Sequence, residues 1–183
     1  MSGKKRLFVD MDGTLTVFQT VEKDEELYRE HFFENSEPNE NVVEAVRDII
    51  LHHPEIEVYI LSSVLADSRY CLNEKKVWLK KYLPECPEER YIFPPCGCCK
   101  KDYVPGGIRN DDFLLDDYSL KLRHWQPHAR GIKLLNGING NNGTWTGDRV
   151  SIQSSPEELS EKLCAIITGG AHIYDDRPQD SEG

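Results

Sequence analysis

Four acidic side chains stand where apolar runs stop: Asp10 and Asp12 in LFVDMDG, and Asp116 and Asp117 in FLLDD. Carboxylates placed so close repel one another and leave water only at a cost, so solvent or a cation must compensate them. A third apolar run, Ile56 to Leu61, ends on two hydroxyls, Ser62 and Ser63. One chemistry uses all of these groups. An Asp in a dry crevice can attack phosphorus and form an aspartyl-phosphate. A second carboxylate two residues on can protonate the leaving oxygen and then activate water. Gly13 allows the tight turn that brings backbone close to the phosphoryl group. Acidic groups from another strand complete an oxygen-rich site for Mg²⁺, which would neutralise the carboxylates and screen a phosphate dianion. A hydroxyl and a lysine would hold the remaining phosphoryl oxygens as charge spreads in the transition state.

Each doublet alone has a plainer reading. DMDG can be a capped turn, Ser62-Ser63 a helix-capping pair, and Asp116-Asp117 the cap of a helix starting near Tyr118. Together they are specific, because each follows a strand-like segment. The apolar runs are Leu7 to Val9, Ile56 to Leu61, Tyr91 to Phe93, Phe113 to Leu115 and Ile132 to Leu135. Short and nearly all apolar, they suit strands covered on both faces. Helical patterns lie between them. Val42, Val46, Ile49 and Ile50 make one stripe; Cys71, Trp78 and Tyr82 make another within 67–83, with Lys and Glu expected on the opposite face. Ser155-Pro156-Glu157-Glu158 reads as a capped start of a helix running to about Ile167. Trp78, Trp125 and Trp145 read as core.

Alternating strands and helices predict an α/β fold with a parallel sheet and right-handed crossovers. Ligands gather at the carboxyl ends of such strands, where the three polar doublets would converge. The expected organisation is a core over 1–16 and 41–168, a small helical cap insert over 17–40, and a flexible tail over 169–183. The run Asn136 to Gly143 is turn-forming throughout.

DMDGTLT resembles the first motif of the haloacid dehalogenase-like (HAD) phosphohydrolases, with LSS, a Lys and LLDD in the places of the second, third and fourth. The resemblance implies a Rossmann-like HAD core, with Asp10 as nucleophile and Asp12 as general acid/base. Ser62, Ser63 and Lys100 would hold the phosphate, although Lys101 is adjacent and Arg109 a more distant candidate. Mg²⁺ would take Asp10, the Asp12 main-chain carbonyl and Asp117, with Asp116 beside them. VDMDGTLTVF, HFFENSEPNENVVEAVRDI and IEVYILSS are further similar to the cytosolic 5'(3')-deoxyribonucleotidases and their bacterial relatives. That likeness implies a nucleoside monophosphate substrate contacted by Phe18, Phe32 and Phe33. Thr14, Thr16 and Val17 stand where those nucleotidases usually carry Val, Ala and Asp, and Val64 replaces a Pro. The alternatives are a HAD phosphatase for another small metabolite, such as a sugar phosphate, and a non-catalytic phosphoryl-binding or zinc-stabilised interaction protein.

Composition narrows the partners. The 183 residues carry 32 acidic against 22 basic side chains, a formal net charge of −10, which disfavours nucleic-acid polymers and anionic membrane. No stretch approaches the ~20 apolar residues of a membrane span. Lys4-Lys5-Arg6 is followed by only three apolar residues before Asp10, so no signal peptide is expected and the cytoplasm is the expected compartment. Cys86, Cys96, Cys98 and Cys99 could hold a structural zinc, with His52 or His53 as further ligands, but their spacing is not paired and reduced thiols are the expectation. A homodimer is among the assemblies left open.

Overall fold

The apolar runs become strands because each has two layers to fill. A computed structural model describes residues 3–138 and 145–176. Its strands are β1 (Lys5–Val9), β2 (Ile56–Leu61), β3 (Tyr91–Ile92), β4 (Asp112–Asp116), β5 (Arg130–Leu135) and β6 (Arg149–Ser151). They form one parallel sheet in the order β3-β2-β1-β4-β5-β6. Alternate side chains enter opposite layers. Leu7, Val9, Val58, Ile60, Leu115 and Ile132 face one core, whereas Phe8, Leu61 and Leu114 face the other.

The helices are α1 (Glu40–His52), α2 (Cys71–Tyr82), α3 (Ser119–Trp125) and α4 (Pro156–Ile167). Apolar faces of α1, α2 and α4 cover the first core, and Leu122 and Trp125 of α3 cover the second with Trp145. All three Trp are buried, as expected. The α4 start forms as read: Ser155 Oγ accepts a hydrogen bond from Glu158 N at 3.2 Å, with Pro156 in the first turn.

The order of the strands positions the site. The chain winds outward through β1, β2 and β3, then returns to pair β4 on the other side of β1 and winds the opposite way. The crevice beyond β1 and β4 is therefore a topological switch point, where α/β sheets leave room for a ligand. Asp10 directly follows β1, Asp116 ends β4, and Ser62 follows β2 on the other flank of β1.

Several expectations change. β6 was not foreseen, and it is short with one buried apolar residue, Val150. The 17–40 insert holds a single 3₁₀ turn, Asp24–Tyr28, and is otherwise irregular up to the start of α1 at Glu40, because α2 supplies its anchors. α2 begins at Cys71 rather than 67, with Ser68 Oγ accepting from Cys71 N at 3.2 Å. Not all Lys and Glu of α2 lie on the solvated face, since Glu74 and Lys75 fall on the buried side with Cys71 and Trp78 and point inward. The first part of the expected tail runs beside β6, with Arg149 N donating to Ile173 O and Asp175 N to Arg149 O. Part of the turn-forming run, 139–143, and the tail's end, 177–183, lie outside the described residues. No helix among the described residues is long and apolar enough to cross a membrane.

Candidate active site

Strand ends deliver the acidic groups. Asp10, Asp116 and Asp117 are all buried, and their carboxylate oxygens lie within 4.8 Å of one another. A short 3₁₀ turn, Lys100–Tyr103, brings Lys100 into the same space. Its Nζ donates to Asp10 Oδ1 and to Asp116 Oδ2, each at 2.7 Å. Lys101 makes no such bond among the described residues, and Arg109 bonds instead to Lys4 O and around Asp112.

Burial opposes the charge on Lys100, but the facing carboxylates of Asp10 and Asp116 outweigh it and raise its pKa. Asp116 is pushed up to about 6, chiefly by burial and further by the Asp10 charge, while Lys100 pulls it back. Asp116 Oδ1 also accepts from Tyr118 N at 2.8 Å, which fixes the turn into α3. Asp117 accepts from Asn136 Nδ2 at 2.9 Å, and Asn136 also donates to Gly13 O at 2.9 Å. Thr14 Oγ1 stands 3.5 Å from Asp117 Oδ1.

Gly13 is required here for two reasons. Its φ is +81°, and a Cβ would lie 2.3 Å from Asp117 Oδ2. The motif glycine thus lets the loop after β1 close onto the Asp117 carboxylate just beyond β4, beyond merely allowing a turn.

Asp12 is the more open member, with its side chain 43% exposed. It is held by a residue that sequence reasoning missed. Lys75, only 1% exposed, donates to Asp12 Oδ2 at 2.5 Å, Ser62 Oγ at 3.0 Å and Ser63 O at 2.7 Å, with its ammonium 5.0 Å from the Phe33 ring centroid. The available signal was its place on the Cys71, Trp78, Tyr82 stripe, one turn after Cys71. Ser62 is fully buried, and Ser63 Oγ is buried with no hydrogen-bond partner among the described residues.

Two cavities open at this end of the sheet. A polar one of about 360 Å³ is lined by Asp10, Asp12, Lys100, Asp116, Asp117 and Lys121. An apolar one of about 400 Å³ is lined by Val17, Phe18, Leu27, Phe32, Phe33 and Leu65. Asp12, Phe18 and Ser63 border both, so the two are continuous. All three expected substrate-contacting rings therefore face the apolar cavity.

The donor set fits a hard divalent cation. Asp10, Asp116 and Asp117 offer converging carboxylate oxygens without a sulfur or imidazole among them, and burial, with the Asp10 charge adding to it, pushes Asp116 towards protonation. The cysteines make no comparable site. All six are free, and Cys86 is buried in the core against Val58 O, so the four candidate thiols do not converge. His52 and His53 bond to Asp48 and Glu55 on the protein surface.

No protein-family model matches the chain, and no curated protein does. Solved structures do. A D,D-heptose 1,7-bisphosphate phosphatase from Burkholderia thailandensis superposes with a TM-score of 0.58 at 12% identity, over 88% of this chain and 99% of that one. A chain from Mesorhizobium loti described as a HAD-like phosphatase gives 0.56 at 15% identity, over 96% and 90%. The chain thus has the α/β Rossmann-like fold of these phosphatases, as the alternation of strands and helices predicts.

Proposed function

We propose that this protein is a Mg²⁺-dependent phosphomonoester hydrolase working through an aspartyl-phosphate on Asp10, with nucleoside monophosphates as substrates. The observation that carries the proposal is the convergence of Asp10, Asp12, Lys100, Asp116 and Asp117 at one switch point. Lys100 fixes Asp10 through Oδ1 and leaves Oδ2 to attack phosphorus. As the Asp10 O–P bond forms, the ester P–O bond breaks and Asp12 gives its proton to the leaving oxygen. Water then attacks the phosphorus, Asp12 takes the proton back, and Asp10 departs as a carboxylate. Lys75 anchors Asp12 Oδ2, so Oδ1 remains for both transfers. Asp10 and Asp117, with Asp116 beside them and the Asp12 main-chain carbonyl, would hold Mg²⁺. When bound, the cation supplies positive charge to the phosphoryl oxygens as the reaction proceeds.

The nucleotide half of the proposal draws on the apolar cavity. A phosphoryl group among the carboxylates points its ester oxygen towards Asp12, and beyond Asp12 lie Phe18, Phe32 and Phe33. A flat base suits aromatic walls better than a polyhydroxylated sugar does. The test is phosphate release from a panel of nucleoside 5'- and 3'-monophosphates and sugar phosphates, with and without Mg²⁺. Mg²⁺-dependent release is expected, abolished in Asp10→Asn and with kcat/KM highest on nucleotides. Near-wild-type activity of folded Asp10→Asn would overturn the mechanism, and preference for sugar phosphates would overturn the substrate.

A further inference from the structure

The apolar cavity carries polar side chains that the phosphoryl chemistry does not use, Gln19, Thr20 and Ser36 among them. Asp12, Ser63 and Lys75 belong to the phosphoryl end, and Thr16 Oγ1 donates to Met11 O at 3.2 Å. Gln19, beside them in the same wall, is different. Its Nε2 donates to Ser36 Oγ at 2.8 Å, and Ser36 Oγ donates in turn to Phe32 O at 3.4 Å. Because the serine proton is directed to that carbonyl, its oxygen must accept from Gln19, which fixes which end of the amide is nitrogen. Gln19 Oε1 then accepts no hydrogen bond among the described residues.

The support beneath this amide is rigid. Trp78, fully buried, donates its indole N–H to Ser36 O at 2.8 Å. Glu74, also buried, accepts from His31 N at 2.6 Å and Phe33 N at 3.0 Å, which fixes the turn carrying both Phe rings. The two rings meet edge to face with centroids 5.0 Å apart. Gln19 is thus a positioned acceptor beside the Phe18, Phe32 and Phe33 rings, and a preorganised acceptor favours a ligand that brings an N–H to it.

We infer that Gln19 determines specificity at this site: its Oε1 accepts a hydrogen bond from an N–H on the edge of the substrate's base, which the Phe18, Phe32 and Phe33 walls admit face-on. The inference rests on the nucleoside monophosphate reading above and adds the group that would discriminate a base from any other flat apolar leaving group. Ser36 is a positioning residue for the amide.

The test compares kcat/KM for a panel of nucleoside monophosphates with that for ribose 5-phosphate, which keeps the phosphoryl and sugar groups and lacks the base. In Gln19→Leu, the ratio for the preferred nucleotide should fall about 3- to 10-fold, the effect of one uncharged hydrogen bond, and mainly through KM. Ser36→Ala, which frees the amide, should lower the same ratio by less. Gln19→Glu, which keeps an acceptor, should recover part of it. A ratio unchanged in Gln19→Leu would overturn the inference. So would equal losses on both substrates, because Gln19 would then be holding the insert together. Failure of the underlying reading looks different: the wild-type protein would release no phosphate, or would show no preference for nucleotides, before any variant was compared.

Discussion

Lys75→Met separates what the buried lysine does for the fold from what it does for the chemistry, because the first effect is offset and the second is not. The substitution keeps the unbranched side chain and removes the ammonium. Three hydrogen bonds go with it: Asp12 Oδ2 at 2.5 Å, Ser63 O at 2.7 Å and Ser62 Oγ at 3.0 Å. Leaving buried acceptors unmatched costs about 1–3 kcal/mol each. Against that, the folded state no longer takes a charged group out of water, a penalty of several kcal/mol per ion. Asp12 remains half-exposed and can be rehydrated. The terms offset, so Tm should move by no more than a few degrees in either direction. The chemistry has no such offset. On the mechanism proposed above, Asp12 would lose the side-chain bond that holds it towards the leaving oxygen, and a charge beside the phosphoryl group would be lost. Removing one such preorganised donor lowers kcat by about 10²–10³. Phosphate release should therefore collapse on nucleotides and on p-nitrophenyl phosphate alike, while thermal unfolding stays cooperative near the wild-type midpoint. A folded Lys75→Met protein with near-wild-type kcat would refute the reasoning, since the 2.5 Å contact to Asp12 would then be mere packing.

Other perturbations address separate parts of the structure. Gly13→Ala forces a Cβ against the Asp117 carboxylate and a side chain into φ +81°, so Mg²⁺-dependent activity should be lost with about 1–2 kcal/mol of stability, read by titrating Mg²⁺ and by urea unfolding. Asp112→Ala leaves Arg6 buried without its bidentate partner, held at 2.6 Å through two bonds; it should cost about 3–5 kcal/mol in denaturant unfolding and leave kcat per folded molecule unchanged, because the pair sits at the opposite end of the strands from Asp10 and Asp116. Asp116 is pushed up to about 6, chiefly by burial, so the Mg²⁺ proposed for this site would have to displace a proton from it below that pH. Calorimetry should show proton release on Mg²⁺ binding between about pH 5 and 6.5 and affinity rising with pH across that window; pH-independent binding would refute this.

Most of the sheet could be read from the chain because parallel strands are covered on both faces and so appear as unbroken apolar runs. The same runs disclosed the carboxylates, because each acidic group lies at or just beyond the end of a run and the switch between β1 and β4 brings those ends together. β6 lacked that signature: it pairs through three residues with one buried apolar side chain. The 17–40 insert lacked it too, because its conformation is imposed from outside by the Glu74 carboxylate and the Trp78 indole rather than by a periodicity of its own.

Lys75 was missed for a more instructive reason. A charged residue on an amphipathic helix is usually assigned to the solvated face, and the 75–76 and 80–81 lysine pairs of α2 invite that assignment. Geometry contradicts it for one member of the first pair. Counting from Cys71, position 75 falls one turn along the buried stripe that continues through Trp78 and Tyr82, so the lysine must point inward whatever its charge. A lysine forced into that layer costs free energy unless an anion and acceptors meet it. They can only come from the neighbouring strand ends, and β1 and β2 finish on Asp10-Met11-Asp12 and Ser62-Ser63. A charge on the wrong face of a helix is thus a pointer to a site, and here the Asp12 carboxylate is its partner.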